Sequence, residues 1–162
     1  MELKEIHFKI AVYNSAAELN TTDAELLKAA RDTTEFAYAP YSKFFVGAAA
    51  ILANGKIITG TNQENASYPV CICAERVLLS AVASQYPGEP VHTMAISYKN
   101  NNGESSKPIS PCGVCRQTLV EYQERTKTPI RIILSGMSGE VFIVENAKQL
   151  LPLSFTADDL LT

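Results

Sequence analysis

Four cysteines, arranged as two close pairs, are the residues of this sequence whose spacing most directly suggests chemistry. Cys112 and Cys115 follow Pro111 and are three residues apart, which places both thiols on one side of the first turn of a helix. Two sulfurs in this arrangement can bind one metal ion, and the N-terminus of a helix favours the thiolate that a metal requires. The pair predicts half of a zinc site.

The other ligands of this site must come from elsewhere in the chain, and two interpretations compete. If Cys71 and Cys73 both bind, four thiolates enclose the ion and its role is purely structural. If Cys73 alone joins the later pair, a fourth position is open to water and the site can support hydrolysis. The spacing of the cysteines by itself does not decide between the two.

Glu75 favours the open site. Cys73 and Glu75 are two residues apart, and in the interior of a helix such residues point to nearly opposite sides. At the first turn of a helix, however, both side chains can reach a site that lies beyond the helix end. A carboxylate beside a metal-bound water can accept its proton and later act as a general acid. His7 and His92 lie in strand-like stretches without neighbouring ligand types, so we expect them to be structural. We predict Cys73, Cys112 and Cys115 as zinc ligands and Glu75 as the catalytic residue.

Composition and charge narrow the class of protein. The chain has 162 residues, of which 46% are hydrophobic and 19% charged, as in an ordinary globular domain. Its 14 basic and 17 acidic residues leave a net charge of −3, which provides no positive field for a nucleic acid. The first ten residues are interrupted by charges, and no stretch approaches the ~20 apolar residues of a membrane span. We expect a cytoplasmic protein with neither a membrane nor a nucleic acid as partner.

Hydrophobic periodicity predicts an α/β fold, a three-layer α/β/α sandwich around a mixed five-stranded sheet with an extra N-terminal strand. Alternation over residues 5–13 predicts that extra strand. Thr22 and Glu25 form a capping box that begins a first helix, whose apolar stripe extends to Phe36. Ser110 and Pro111 have the residue types of a helix cap and first position. The remaining predicted elements are a helix over residues 73–84 and strands over residues 44–52, 56–60, 91–98, 130–134 and 141–144.

The motifs around these elements resemble those of one known family. Cys73-Ala-Glu75 followed at a distance by Pro111-Cys-Gly-Val-Cys115 has the layout of the zinc deaminases. The segments AYAPYSKFFVGAA, TNQENASY, CAER, SPCGVCRQ and LLPLSF occur in order between Thr22 and Leu161. Together they make the sequence similar to the small homotetrameric cytidine deaminases. The resemblance implies a cytidine deaminase domain over residues 21–162, preceded by an N-terminal extension over residues 1–20.

The resemblance also implies a reaction, a cofactor and a set of substrate contacts. The reaction is the hydrolytic deamination of cytidine and 2′-deoxycytidine to uridine and 2′-deoxyuridine in pyrimidine salvage, with one Zn²⁺ per subunit. The implied substrate contacts come from four residues. They are Phe44 stacking on the pyrimidine, the backbone N–H of Ala74 at the base carbonyl, and Asn62 and Glu64 at the ribose hydroxyls.

Further implied roles concern charge and assembly. By resemblance, Arg76 offsets the negative charge of three thiolates on one Zn²⁺. Ala66, Tyr68 and Phe155 would enter the site of a neighbouring subunit, so the active unit would be a homotetramer. Cys71 has no role in this interpretation, and we expect a buried or half-buried free thiol.

Two alternatives to nucleoside deamination remain. The same zinc chemistry could act on a modified nucleoside or on a base within a nucleic acid, although the net charge speaks against the second. The chain could also be a non-catalytic module stabilised by a four-cysteine zinc site.

Overall fold

A computed structural model describes residues 1–161; Thr162, the last residue of the expected domain, lies outside the described residues. The described chain contains a six-stranded mixed sheet with the strand order β1-β6-β5-β4-β2-β3. β4 and β5 are parallel, and the other neighbouring pairs are antiparallel. The strands are Ala11–Tyr13 (β1), Phe44–Leu52 (β2), Ile57–Thr61 (β3), Val91–Asn100 (β4), Arg131–Ser135 (β5) and Val141–Val144 (β6). The predicted mixed sheet with an additional N-terminal strand is confirmed.

Helices cover both faces of this sheet. α1 (Thr21–Thr33) packs on one face, and α2 (Ala74–Gln85) and α3 (Gly113–Thr126) pack on the other. Short 3-10 helices complete the described elements: Ala16–Glu18, Thr34–Phe36, Tyr68–Val70, Ala147–Leu150 and Ala157–Leu160. The three-layer α/β/α arrangement is confirmed. Over residues 1–161, the helices lack the length and apolar character needed to cross a bilayer.

Two cores fix the layers. Leu78, Leu79 and Val82 of α2 pack with Leu119 of α3 and with one face of the sheet, while α1 packs on the other face in a separate cluster. Burying such side chains provides roughly 1.5–3 kcal/mol each, before the entropy of ordering them is subtracted. The N-termini of α2 and α3 are therefore held at fixed positions on the same face of the sheet.

Gly60 of β3 lets α2 approach the sheet closely. A Cβ at this position would lie 2.6 Å from both the carbonyl oxygen of Ala74 and the backbone nitrogen of Leu78. Because both of these atoms belong to the backbone of α2, a side chain here would push the first turns of that helix away from the sheet. The absence of a side chain at residue 60 thus allows α2, which begins directly after Cys73, to lie close to the sheet.

Three predicted boundaries were wrong at the N-terminal side of the fold. The strand expected over residues 5–13 is restricted to β1, because β6 offers just Val141–Val144 as its partner and pairs with Ala11–Tyr13. The N-cap of α1 is Asn20 rather than Thr22; its side chain accepts a hydrogen bond from the backbone N–H of Asp23 at 2.9 Å. The helix ends at Thr33, so Phe36 lies outside the core and is 76% exposed.

The start of α3 also differs from the prediction. Ser110 and Pro111 were expected to be its cap and first residue, but the N-cap is Cys112 and the helix begins at Gly113. The guanidinium of Arg116 donates to the Pro111 carbonyl at 2.8 Å and to the Ser110 hydroxyl at 3.1 Å. These bonds hold the two residues outside the helix, which shifts its first turn onto the cysteine pair.

Candidate metal and active site

The two helix N-termini on one face of the sheet carry three of the four cysteines. Cys73 is the N-cap of α2 and Cys112 is the N-cap of α3, while Cys115 occupies the third position of α3. The Cys112 sulfur accepts a hydrogen bond from the backbone N–H of Cys115 at 3.5 Å, so it also caps the helix. All three sulfurs thus lie in the positive field of a helix N-terminus, which favours thiolates.

The spacing of these sulfurs fits a tetrahedral metal site. The Cys73 and Cys112 sulfurs are 3.8 Å apart, those of Cys112 and Cys115 are 3.5 Å apart, and the three atoms lie within 4.8 Å of one another. Sulfurs bound at about 2.3 Å in a tetrahedral zinc site are roughly 3.8 Å apart. Cys71 does not belong to this group. The donor set is therefore three thiolates, which leaves a fourth tetrahedral position for a ligand from solution.

The titration of the sulfurs reflects their proximity. Hydrogen bonding with the Cys115 thiol, together with the charge of Arg76, lowers the pKa of Cys73 to about 6, although burial and the charge of Glu75 act in the opposite direction. The Cys115 thiol keeps the proton in its hydrogen bond with Cys73. This bond and burial together raise the pKa of Cys115. The cluster therefore carries negative charge near neutral pH and suits a cation.

Glu75 lies in the first turn of α2, where its side chain is 5% exposed and lines the same cavity as Cys73 and Cys112. Burial raises the pKa of this carboxyl, and the opposing effects of its own backbone N–H, of Cys115 and of Arg76 are smaller. A buried carboxyl with a raised pKa in a cleft is a candidate for proton transfer. The first turn of α2 thus brings a thiol of the cysteine group and a buried carboxyl to one cavity.

This cavity has a volume of about 450 Å³, within the usual range of small-molecule sites. Its walls include two of the three clustered cysteines, the buried carboxyl, an aromatic ring and polar groups from the loop after β3. The lining residues are Ser42, Phe44, Val46, Asn62, Gln63, Glu64, Cys71, Ile72, Cys73, Glu75, Ile109, Ser110 and Cys112. A slightly larger cavity of about 470 Å³ lies by Arg31 and Lys99, but neither the sulfurs nor Glu75 line it. The smaller cavity is therefore the candidate active site.

Asn62 connects the loop after β3 to the start of β2. Its side-chain oxygen accepts from the backbone N–H of Val46 at 2.7 Å, and its side-chain nitrogen donates to the Phe44 carbonyl at 2.9 Å. An amide group has a second lone pair and a second N–H, so a further hydrogen bond to a ligand is compatible with both contacts. The backbone bonds fix the orientation of this side chain in the cavity wall.

Glu64 is held by the turn that precedes β2. Its Oε2 atom accepts from the backbone N–H groups of Tyr41 at 2.8 Å and Ser42 at 3.3 Å. Desolvation raises the pKa of this carboxyl, but hydrogen bonds from Ser42 and Tyr41 and the charge of Lys43 outweigh it, so the pKa lies below its usual value. Glu64 is therefore an ionised acceptor whose second oxygen receives neither of these two backbone bonds.

The remaining predicted contacts of the base lie near the same cavity. The Phe44 ring lines it and stacks on Tyr98, with centroids 4.7 Å apart and an angle of 15° between the planes. Ala74 is the first residue of α2, where a backbone N–H has no partner within the helix and is free for a ligand. Arg76 follows Glu75; its positive charge helps to lower the pKa of Cys73 and opposes the rise that burial causes in the pKa of Glu75.

The three residues expected to enter a neighbouring subunit's site lie at the protein surface. Tyr68 is 69% exposed and Phe155 is 58% exposed, and Ala66 is exposed as well. Tyr68 lies beside Glu64 of its own chain in an adjoining cavity of about 310 Å³, where its ring meets the edge of Tyr41 at 6.0 Å. Phe155 is fixed through its carbonyl, which accepts from the Gln117 amide at 2.8 Å.

Cys71 is a half-buried free thiol that lines the cavity but does not belong to the group of three clustered cysteines. Its sulfur accepts from the backbone N–H of Asn65 at 3.2 Å and lies 3.6 Å from the carbonyl oxygen of the same residue. These contacts connect the segment before α2 to the loop that carries Glu64. Cys71 therefore belongs to the cavity wall and not to the group of three sulfurs.

Sequence reasoning missed the residues that hold the site from outside. Besides its bonds to Ser110 and Pro111, the guanidinium of Arg116 donates to the Leu150 carbonyl at 3.0 Å, so it joins the segment before Cys112 to the C-terminal part of the chain. The backbone amides of Tyr41 and Ser42 were also missed. A sequence displays side-chain types, and nothing in it indicates which carbonyl groups or amides a distant side chain will meet.

Comparisons with known proteins agree with this geometry. Residues 20–129 match the family model described as the cytidine and deoxycytidylate deaminase zinc-binding region. A cytidine deaminase of Halalkalibacterium halodurans is 35% identical over 135 residues, which cover 83% of this chain and 95% of that protein. The crystal structure of cytidine deaminase from Burkholderia pseudomallei has 41% identity and a TM-score of 0.70, covering 85% of this chain and all of that one (100%). The structure of cytidine deaminase from Mycobacterium tuberculosis has 29% identity and a TM-score of 0.64, covering 84% and 98%.

The family match covers more than half of the chain and includes the three cysteines of the cluster together with Glu75. The similarity extends over nearly the full length of the relatives, and it is accompanied by the same fold. The three-thiolate donor set fits the zinc ion that this family binds. The chain belongs to the zinc-dependent cytidine deaminase family.

Proposed function

We propose that this enzyme catalyses the hydrolytic deamination of cytidine and 2′-deoxycytidine, with release of ammonia, in pyrimidine salvage. One observation carries the proposal: three thiols and a buried carboxyl meet in one cavity at the N-termini of α2 and α3. A binding module would not require a carboxyl kept away from solvent beside its metal ligands, because burying an ionisable group is costly. A hydrolase requires such a group for proton transfer.

The overall reaction exchanges the exocyclic amine at C4 of the pyrimidine for an oxygen from water. When bound to Cys73, Cys112 and Cys115, zinc supplies a Lewis acid that makes a water molecule acidic enough to react near neutral pH. Glu75 accepts the proton that water loses and transfers it to ring N3, which makes C4 more electrophilic. Glu75 then takes the second proton of the same water, now on the oxygen bonded to C4, and transfers it to the amine, which departs as ammonia. The raised pKa of Glu75 suits a group that must be protonated and deprotonated in each cycle.

Four groups on the cavity wall orient the nucleoside. We assign the Phe44 ring to the pyrimidine, because an aromatic surface supported by Tyr98 suits a flat base. The free N–H of Ala74 donates to the base carbonyl, and Asn62 and the ionised Glu64 bind the ribose hydroxyls. The side chains of Asn62 and Glu64 are already fixed by backbone bonds, so little conformational entropy is lost when substrate binds.

Arg76 adjusts the charge of the site. Three thiolates on Zn²⁺ leave a net charge of −1, which weakens the ion as a Lewis acid. The positive charge of Arg76 contributes to the lowered pKa of Cys73, and it opposes the burial that raises the pKa of Glu75. We assign Arg76 to the partial neutralisation of this cluster.

We further propose a homotetramer in the cytoplasm as the working state. The exposed side chains of Tyr68 and Phe155 support an assembly in which each enters a neighbouring site, together with Ala66, because large aromatic surfaces left in water are costly. Four free cysteines support a reducing compartment such as the cytoplasm. Sedimentation of the zinc-loaded enzyme tests the oligomeric state.

An absorbance assay tests the reaction. With cytidine and with 2′-deoxycytidine, we expect the absorbance of the aminopyrimidine to fall while one ammonia is released per nucleoside consumed. CMP and adenosine, which alter the 5′ position and the base, should react more slowly. If enzyme with one zinc per chain leaves cytidine unchanged while it converts a modified nucleoside or a base in a nucleic acid, the substrate assignment is wrong.

Substitution of Cys71 separates the catalytic site from a structural four-cysteine site. Because the Cys71 sulfur lies outside the group of three clustered cysteines, we expect Cys71→Ala to retain the fold and one zinc per chain. Metal analysis together with circular dichroism checks this result. Loss of both zinc and fold would show that Cys71 is a ligand and would favour the closed, non-catalytic site.

A further inference from the structure

The loop that follows β4, here called the asparagine loop and comprising residues 101–106, lies between two parts of the fold. On one side it packs against the turn between β5 and β6, where a Cβ at Gly136 would lie 2.1 Å from the Ser105 carbonyl oxygen. The Ser105 hydroxyl accepts from the backbone N–H of Asn100, the last residue of β4, at 2.8 Å. The base of the loop is therefore fixed to the sheet.

On its other side the asparagine loop contacts the turn that precedes β2. The side-chain nitrogen of Asn102 donates to the Ser42 carbonyl at 3.1 Å, and the backbone N–H of Asn101 donates to the Lys43 carbonyl at 3.0 Å. These are long-range contacts, separated by about 60 residues in the chain. They attach two consecutive peptide groups of the turn to the fixed loop.

The same turn also holds Glu64. The backbone N–H groups of Tyr41 and Ser42 both donate to one oxygen of the Glu64 carboxylate. Lys43, with a φ of +56°, is in the left-handed region that a residue with a side chain adopts at a cost. A turn of this conformation needs contacts from outside to persist, and the bonds from Asn101 and Asn102 supply them.

We propose that Asn102 is a positioning residue for the sugar of the substrate, acting through the turn at residues 41–43 and the Glu64 carboxylate. Asn102 itself does not touch the nucleoside; it keeps the Tyr41 and Ser42 amides aimed at one Glu64 oxygen, which leaves the other oxygen for a sugar hydroxyl. This inference rests on the proposed function, in which Glu64 binds a ribose hydroxyl. It also gives the long loop after β4 a role in the active site.

The test compares two substrates that differ in the sugar. Asn102→Ala removes one hydrogen bond between neutral groups, so we expect kcat/KM for cytidine to fall about 2- to 10-fold, mainly through a higher KM. With 2′,3′-dideoxycytidine, which lacks both hydroxyls, the variant should behave like the wild type within about 2-fold, measured as kcat/KM or as the inhibition constant against cytidine. Zinc content should not change.

Two variants of the same loop serve as controls. Asn101→Ala removes a neighbouring exposed side chain that makes no hydrogen bond within residues 1–161, and it keeps the backbone bond to Lys43, so both substrates should react as with the wild type. Asn102→Asp keeps the shape of the side chain but replaces the N–H donor by a second acceptor, so it should lose at least as much activity on cytidine as Asn102→Ala. A Glu64→Gln background should largely abolish the effect of Asn102→Ala, because the two substitutions act on one contact.

Each outcome bears on the proposal. Equal losses on both substrates, or no loss on cytidine, would overturn it while leaving the deaminase function intact. A wild-type enzyme that is inert towards cytidine would overturn the proposed function and, with it, the role of Asn102.

Discussion

Glu75→Gln should lower kcat on cytidine by at least about 10²- to 10⁴-fold, the usual contribution of a general acid and base, while zinc remains bound. Glutamine has the shape of glutamate but cannot exchange protons, so the variant removes proton transfer to N3 and to the amine without opening a cavity in the first turn of α2. Because Glu75 is not among the three sulfur ligands, metal analysis should still give one zinc per chain.

The stability of this variant provides an internal check. Burial raises the pKa of Glu75, which means that the ionised side chain is costly in the folded protein. A neutral glutamine avoids that cost, so the melting temperature of Glu75→Gln should not fall below that of the wild type. Turnover close to the wild-type rate would assign proton transfer to another group, whereas loss of zinc or a lower melting temperature would give Glu75 a structural role.

The group of three clustered cysteines is the part of the site that sequence spacing predicts best. A three-residue separation is a local property of one helical turn, so Cys112 and Cys115 can be paired without knowledge of the fold. The approach of Cys73 to this pair depends on the packing of α2 and α3 on a shared sheet face, including the close contact at Gly60. That contact is not visible in a sequence, which is why three-sulfur and four-sulfur sites both remained open.

Boundaries of elements were less predictable than their existence, for reasons that lie outside the local segment. Asn20 rather than Thr22 caps α1, and the Asp23 carboxylate that follows it accepts from the distant Arg131 at 2.7 and 2.8 Å. β1 is shorter than its alternating pattern because its length is set by the partner strand β6. In both cases the end of the element makes a contact far along the chain that the local sequence pattern does not display.

The walls of the cavity show the same limit. Asn62 and Glu64 could be named by resemblance, but the backbone groups that orient them belong to Val46, Phe44 and the turn at residues 41–42. Those partners follow from the antiparallel pairing of β2 with β3 and from a left-handed residue at position 43. Side-chain identity thus suggests candidate binding groups, while their orientation requires the fold.

Cys112→Ser should abolish zinc binding while preserving the start of α3. Cys112 has two features that this substitution separates: its sulfur belongs to the group of three proposed as zinc ligands, and it also caps the helix by accepting from the Cys115 N–H. Serine is among the best N-cap residues, but its neutral hydroxyl is a poor substitute for a thiolate ligand. The substitution therefore removes the metal contact and keeps the cap.

We expect the zinc content of Cys112→Ser to fall well below one per chain and kcat to fall by at least about 10⁴-fold, because the pKa of water is far higher without the metal and little hydroxide is available near neutral pH. The melting temperature should fall as well, since an ion that binds the folded chain stabilises it. Helix content by circular dichroism should stay near the wild-type value at low temperature. Cys71→Ser is the matched control, because it makes the same chemical change in the cavity wall and should keep the zinc. Retention of zinc in Cys112→Ser and its loss in Cys71→Ser would exchange the roles of the two cysteines and would require a different open position at the metal.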